Sequence, residues 1–206
     1  MKIILGEYSG RNFYMPYGIR PTQNLLKKAV FDIIGQDLSG LSFLDLFAGS
    51  GAMGLEALSC GAAEVCFVEH DARNAKVIED NLVLLEPSKR GLRAQVLHQD
   101  SFATIKQFAR EGRRFHVVFF DPPFDKKLGK KTLKALLTHD ILAPLSYVVA
   151  QVGLDERMPE TAGRWPVLKH KQYGASWLTI YETGREPNPD FATAKSAPKG
   201  LCDKIR

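Results

Sequence analysis

The run Phe43-Leu44-Asp45-Leu46-Phe47 passes directly into Ala48-Gly49-Ser50-Gly51-Ala52-Met53-Gly54 and then Leu55-Glu56-Ala57-Leu58. A short apolar run, a glycine-rich turn and a helix-like stretch in that order read as strand, turn, helix, the opening unit of a parallel α/β sheet. Glycines let the backbone pass close to a ligand, and the helix start behind them offers unpaired N–H groups and a positive dipole end. That geometry suits a nucleotide-like cofactor. The spacing Gly49-x-Gly51-x-x-Gly54 matches a dinucleotide fingerprint, and Glu69 follows Gly49 by twenty residues, where a ribose-binding acid belongs.

The same unit then repeats. Residues 64–69 form a second apolar run that ends in an acid, followed by a helix over 72–85 with apolar Ala75, Val77, Ile78, Leu82 and Leu85. A third strand over 93–97 leads through His98-Gln99-Asp100-Ser101 into a helix bearing Phe102, Ile105 and Phe108, and 117–120 is a fourth strand. Residues 147–152 read as a fifth, and 167–173 with 176–181 as a hairpin turning at Gly174-Ala175 that closes the sheet edge. Acids thus stand at or near successive strand ends, at Asp45, Glu69, Asp100 and Asp121. In an open α/β sheet that carboxyl edge is where ligands bind. Glu69 is expected to accept hydrogen bonds from ribose hydroxyls. Asp100, with the Ser101 and Phe102 backbone, is expected to meet an adenine.

Directly after the fourth strand stands Asp121-Pro122-Pro123-Phe124. Two successive prolines remove two backbone donors, so this loop offers the Asp121 carboxylate and nearby carbonyls as acceptors with no competing N–H. That grips a planar exocyclic amine. Phe124 supplies a flat face on which an unstacked base can rest, stacking being worth roughly 1–3 kcal/mol per base. With Asp45 placed to meet the cationic amino acid end of a cofactor, the pair of motifs favours S-adenosylmethionine over a nicotinamide. The expected reaction is methylation of a nucleobase amine.

Before the glycine turn, residues 3–5 and 12–15 form two short strand-like runs around Ser9-Gly10, and Arg20-Pro21-Thr22 leads into a helix over about 23–34 with Thr22 as its N-cap. Three parts result: a hairpin-plus-helix extension over 1–35, a catalytic domain over 36–182, and a proline-containing tail over 183–206 that is expected to be flexible. A net charge of +5 favours an anionic partner. The positive charge gathers at Lys2, Arg11, Arg20, Lys27 and Lys28, and again at Lys126, Lys127, Lys130, Lys131 and Lys134. Arg11, Arg20, Thr22, Lys27, Lys126 and Lys127 are therefore expected to touch a nucleic-acid partner, largely through phosphates. Neither the three cysteines nor the five histidines have metal-ligand spacing, so no metal is expected. With no apolar leader and no run approaching ~18 apolar residues, a membrane is not expected and a reducing cytoplasm fits.

The N-terminal hairpin with Gly10-Arg11, Arg20-Pro21-Thr22, the run from Leu44 to Ala57, Phe67-Val68-Glu69 and Asp121-Pro122-Pro123-Phe124 together resemble the bacterial 16S ribosomal RNA (guanine(966)-N2)-methyltransferases. The resemblance spans residues 1–182. It implies a Rossmann-like class I methyltransferase fold with a mostly parallel seven-stranded sheet flanked by helices. It also implies 16S rRNA, or a small ribosomal subunit or its assembly intermediate, as partner, and a monomer. The cofactor site implied comprises Asp45, Phe47, Gly49, Gly51, Gly54, Glu69, His70, Asp100, Ser101 and Asp121, with catalysis at Asp121, Pro122, Pro123 and Phe124. Two departures stand out. Gln23-Asn24-Leu25-Leu26-Lys27-Lys28 lies where arginines are usual, and Ala150-Gln151-Val152 where a glutamate is common. An adenine-N6 methyltransferase on DNA or RNA shares the tetrapeptide, a nicotinamide oxidoreductase shares the glycine turn, and a silent RNA-binding assembly factor is the third alternative.

Overall fold

The computed structural model describes residues 1–19 and 22–184. Arg20, Pro21 and the expected tail beyond residue 184 lie outside them.

Apolar runs of five or six residues make the central strands. They are β1 (Ser42–Leu46), β2 (Glu64–Glu69) and β4 (Phe115–Phe120), joined by the longer β5 (Leu142–Gly153), while β3 (Arg93–His98) is a partly exposed edge strand of mixed character. Their side chains alternate between two apolar clusters, Phe43, Val65, Phe67, Val117 and Phe119 on one face against Leu44, Cys66, Val68, Val118 and Phe120 on the other. Strands buried on both faces need helices on both, and connections that cross over. On the first face pack α1 (Asn24–Ile34), α2 (Ala52–Ser59) and α3 (Ala72–Leu85), through Phe31, Leu55 and Ile78. On the second pack α4 (Ser101–Arg110) and α5 (Gly129–Thr138), through Phe108 and Leu133.

The strand order is β3-β2-β1-β4-β5 followed by β8 (Ser176–Thr183), β7 (Trp165–Tyr173) and β6 (Thr161–Ala162). The first five run parallel, whereas β8, β7 and β6 join by antiparallel pairing. This corrects the expected seven-stranded sheet: among the described residues it has eight strands of mixed direction. The additional β6 is two residues long, too short for any periodicity to announce it. From β1 the chain winds outward through β2 and β3, then returns to the other side of β1 as β4. The sheet's switch point therefore lies between β1 and β4, where Asp45 pairs with Phe119 and Leu46 with Phe120.

The N-terminal segment is less regular than expected. The two runs meet in a single bridge between Lys2 and Asn12, not in a hairpin of regular strands. The segment docks on polar side chains of the core instead. Ile4 and Leu5 donate their N–H groups to the Glu56 carboxylate, Tyr8 N–H donates to Ser59 Oγ at 2.8 Å, and Tyr14 exchanges two bonds with the buried Asn81 amide. Gly6 permits the close approach. At φ +67°, its missing Cβ would stand 2.0 Å from the Ser59 carbonyl oxygen. The N-cap of α1 is Gln23, which makes no side-chain capping bond, so Thr22 lies one position outside its expected role.

Lys27 is a correction of more consequence. Its amphipathic helix turns it inward, where both it and Glu56 are 0% exposed, with Nζ 2.7 Å from Glu56 and 2.9 Å from the Lys2 carbonyl oxygen. It is a strut between α1, α2 and the N-terminus, and no phosphate can reach it.

Candidate active site

The glycine turn is shaped by the two acids that precede it in space. Asp45, one residue from the end of β1 and 1% exposed, accepts the Gly54 N–H through Oδ2 at 3.0 Å. Glu69, the last residue of β2, accepts the Gly49 N–H through Oε2 at 2.7 Å and the Asp71 N–H through Oε1 at 2.8 Å. Each Glu69 oxygen spends one acceptor site on the backbone and keeps another for a hydroxyl. Gly54 is required by packing: a Cβ there would lie 2.1 Å from the Phe67 ring. Gly51 starts α2 at φ +75°, in the left-handed region.

Burial pushes the Asp45 carboxyl well above the ordinary carboxylate range, and the nearby charges of Asp121 and Glu69 push it further, against the opposing Gly54 N–H. An acid held in that way gains most from a cationic ligand, which relieves both the like-charge repulsion and the lost hydration.

On the far side of the switch point, β4 delivers Asp121 and Pro122. Phe124 follows in a short 3-10 turn over Phe124–Lys126, its Cβ 3.1 Å from where a Cβ on Gly153 would stand. The glycine turn and the double-proline turn line one cleft of about 650 Å³. That is within the range of pockets that enclose a whole small ligand.

Most of the residues assigned from sequence meet on its wall. Asp45, Phe47, Gly49, Glu69, His70, Asp100, Ser101, Asp121, Pro122, Pro123 and Phe124 all line the cleft, whereas Gly51 and Gly54 stand behind it and shape the turn. Asp100 also caps α4, accepting the Ala103 N–H at 2.9 Å, so a bound adenine would share it with the helix. Phe47 and Phe102 meet edge to face at 6.1 Å, and Lys131 Nζ lies 4.4 Å above the Phe102 ring. Of the residues expected to touch RNA, Thr22 and Lys126 line the cleft. Lys127 is exposed beside it and 3.3 Å from Asp155. Arg11 is exposed on the N-terminal segment with its guanidinium over the Tyr8 ring. Lys27 is elsewhere, buried, as described above.

Sequence reasoning missed several wall residues. Ile19 and Gln23 arrive from the N-terminal segment, and Ala175 and Ser176 from the turn and strand after β7. Gln151, which the sequence marked as a departure where a glutamate is common but to which it gave no role, comes from β5, an amide inside an otherwise apolar buried run. It also missed the α5 N-terminus, where the buried Glu156 accepts the N–H groups of Gly129 and Lys130. No helix among the described residues is long and apolar enough to cross a membrane.

Comparison with known proteins agrees with this arrangement over nearly the whole chain. The Haemophilus influenzae protein named ribosomal RNA small subunit methyltransferase D is 32% identical, over 88% of this chain and 93% of that one. The Bacillus subtilis protein YlbH is also 32% identical, over 88% and 98% respectively. The solved structure of Escherichia coli yhhF superposes with a TM-score of 0.79 at 28% identity, covering 90% of this chain and 99% of that one. The model of the family described as Conserved hypothetical protein 95 matches residues 1–182. On that match, and with relatives of this similarity along its length, the chain belongs to the Conserved hypothetical protein 95 family, together with the proteins named ribosomal RNA small subunit methyltransferase D.

Proposed function

We propose that this protein transfers the methyl group of S-adenosylmethionine to the exocyclic N2 amine of a guanine in 16S ribosomal RNA. The observation that carries the reading is that the glycine turn and the Asp121-Pro122-Pro123-Phe124 turn flank the switch point of one sheet and open into one cleft. The name of the Haemophilus relative supports the substrate class.

The cleft suits that cofactor by its chemistry. Asp45 would hold the cationic amino acid end, Glu69 the ribose hydroxyls, and Asp100 with Ser101 and Phe102 the adenine. When bound, S-adenosylmethionine supplies an electrophilic sulfonium methyl. On the β4 side, the Asp121 carboxylate and the Pro122 carbonyl accept hydrogen bonds from the guanine amine, and Phe124 supports the face of the extruded base. The amine lone pair is delocalised into the ring. Acceptors that favour a more tetrahedral nitrogen free that pair for attack, so positioning supplies most of the acceleration. Asp121 then takes the proton released by the amine.

The exposed Arg11, Lys126 and Lys127 stand ready for RNA phosphates, with the segment over 1–35 as an RNA-contacting extension. We take the cytoplasm, where the ribosomal RNA resides, as the site of action, and a monomer as the working unit.

The test is Asp121→Ala, which removes both the amine acceptor and the proton acceptor. Turnover should fall by at least ~10²-fold, a typical contribution of a positioned acid–base group, while S-adenosylhomocysteine affinity by calorimetry stays within a few-fold. Turnover at the wild-type rate would remove Asp121 from the mechanism.

A further inference from the structure

The proposed function gives the guanine amine its acceptors and leaves the rest of the base's edge unread. One side chain of the cleft wall carries an atom suited to that task. Gln151 follows Ala150, which pairs with Phe120, so Gln151 on β5 and Asp121 after β4 are neighbours at the same sheet edge. The residue is 8% exposed and lines the cleft. Among the described residues, only Gln151 Oε1 and Tyr8 Oη are buried side-chain polar atoms without a hydrogen-bond partner, and only the first belongs to a residue of the cleft.

The hydrogen-bond chain behind Gln151 fixes which end of its amide is already used. The Tyr173 carbonyl can only accept, and Ser176 Oγ spends its single proton on it at 3.1 Å. Toward Gln151, Ser176 Oγ can then only accept, and the Gln151 Nε2 group donates to it at 3.4 Å. Oε1 is left as a buried acceptor, a condition that costs free energy unless a donor arrives.

Resting on the reading of the protein as a guanine-N2 methyltransferase, we propose that Gln151 Oε1 is a specificity-determining contact that accepts the N1–H of the target guanine. Guanine presents N1–H directly beside its N2 amine, so two adjacent donors meet two adjacent acceptors, Gln151 and Asp121. Adenine presents an N1 lone pair beside its N6 amine, which would face Oε1 as a second acceptor and leave both unpaired. The sheet separates this role from cofactor binding. Asp45 and Glu69 lie on β1 and β2 and Asp100 just after β3, while Gln151 lies beyond β4 on the opposite side of the switch point.

The experiment compares 16S rRNA carrying guanine at the methylated position with the same RNA carrying 2-aminopurine there. The analogue keeps the 2-amine and replaces N1–H by a lone pair. The wild type should methylate guanine roughly 10- to 100-fold more efficiently in kcat/KM, the size of a lost hydrogen bond to a buried acceptor. In Gln151→Leu the preference should collapse to within about threefold through loss of activity on guanine, with S-adenosylhomocysteine affinity unchanged. In Gln151→Glu, which keeps an acceptor there, it should persist.

An unchanged preference in Gln151→Leu would overturn the assignment, as would a fall in cofactor affinity with the preference intact. If that variant fails to fold, a wild type that methylates both RNAs equally overturns it. Methyladenosine as the wild-type product would end the underlying reading, whatever Gln151 does.

Discussion

Lys27→Met should destabilise the protein strongly and leave the salt dependence of RNA binding unchanged. The variant keeps most of the volume and removes the charge. It strands the Glu56 carboxylate at 0% exposure with only the Ile4 and Leu5 N–H groups, and it leaves the Lys2 carbonyl without the Nζ donor 2.9 Å away. Removing one partner of a buried ion pair costs roughly 3–5 kcal/mol, because the remaining charge stays desolvated. For a chain of this size each kcal/mol shifts Tm by roughly 2–4 °C, so Tm should fall by about 6–20 °C. Thermal unfolding followed by circular dichroism reads this directly. Hydrogen exchange should show early loss of protection over residues 1–15, the segment tied down by Glu56.

The second readout separates a strut from a phosphate contact. Each lysine on a phosphate contributes about 0.7–0.9 to the slope of log affinity against log salt. Lys27→Met should leave that slope alone, while Lys126→Ala and Lys127→Ala should each lower it by about that amount. A Lys27→Met protein with wild-type Tm and a reduced slope would refute the reasoning.

Two further outcomes follow from the cleft. Asp45→Asn should weaken S-adenosylmethionine binding by roughly 10- to 100-fold and raise Tm at neutral pH, because it removes a buried charge while its amide oxygen can still accept the Gly54 N–H. The pH dependence has a definite sign. A carboxyl whose folded-state pKa is raised binds more protons folded than unfolded, so its contribution to stability declines as pH rises from about 4 through the raised value, a decline that Asp45→Asn should lack. Cofactor affinity of the wild type should rise over the same interval, as measured by calorimetry at several pH values. Gly54→Ala forces a methyl group to within 2.1 Å of the Phe67 ring and should cost about 1–3 kcal/mol or more by overpacking, with a Tm loss of several degrees. An unchanged melt would show that α2 does not sit on Phe67 as described.

Much of this architecture was legible because buried parallel strands announce themselves as continuous apolar runs. The 43–47, 64–69 and 117–120 segments each read as strands for that reason, and the helix over 72–85 matched its apolar spacing. Acids at strand ends were legible from position alone, since parallel pairing brings the carboxyl ends of β1, β2, β3 and β4 to one edge. What stayed hidden depended on partners distant in sequence. Lys27 carries the same charge whether it meets phosphate or Glu56, and only the packing of α1 on α2 decides between them. The two-residue β6 exists through its pairing with Trp165 and Pro166. Lys130, Lys131 and Lys134 read as a charge run, yet α5 beneath them is set by Leu133 and Leu136 and by Glu156, far along the chain. Gln151 stood out in its strand, but its unpaired acceptor shows only when Ser176 is seen to take its amide donor.

The most direct test of the account is the chemical identity of the product. Purified protein, labelled S-adenosylmethionine and 16S rRNA from cells lacking this gene should yield N2-methylguanosine at one nucleotide, by nucleoside analysis and site mapping. N6-methyladenosine, or no transfer to RNA by protein that binds the cofactor, would contradict it.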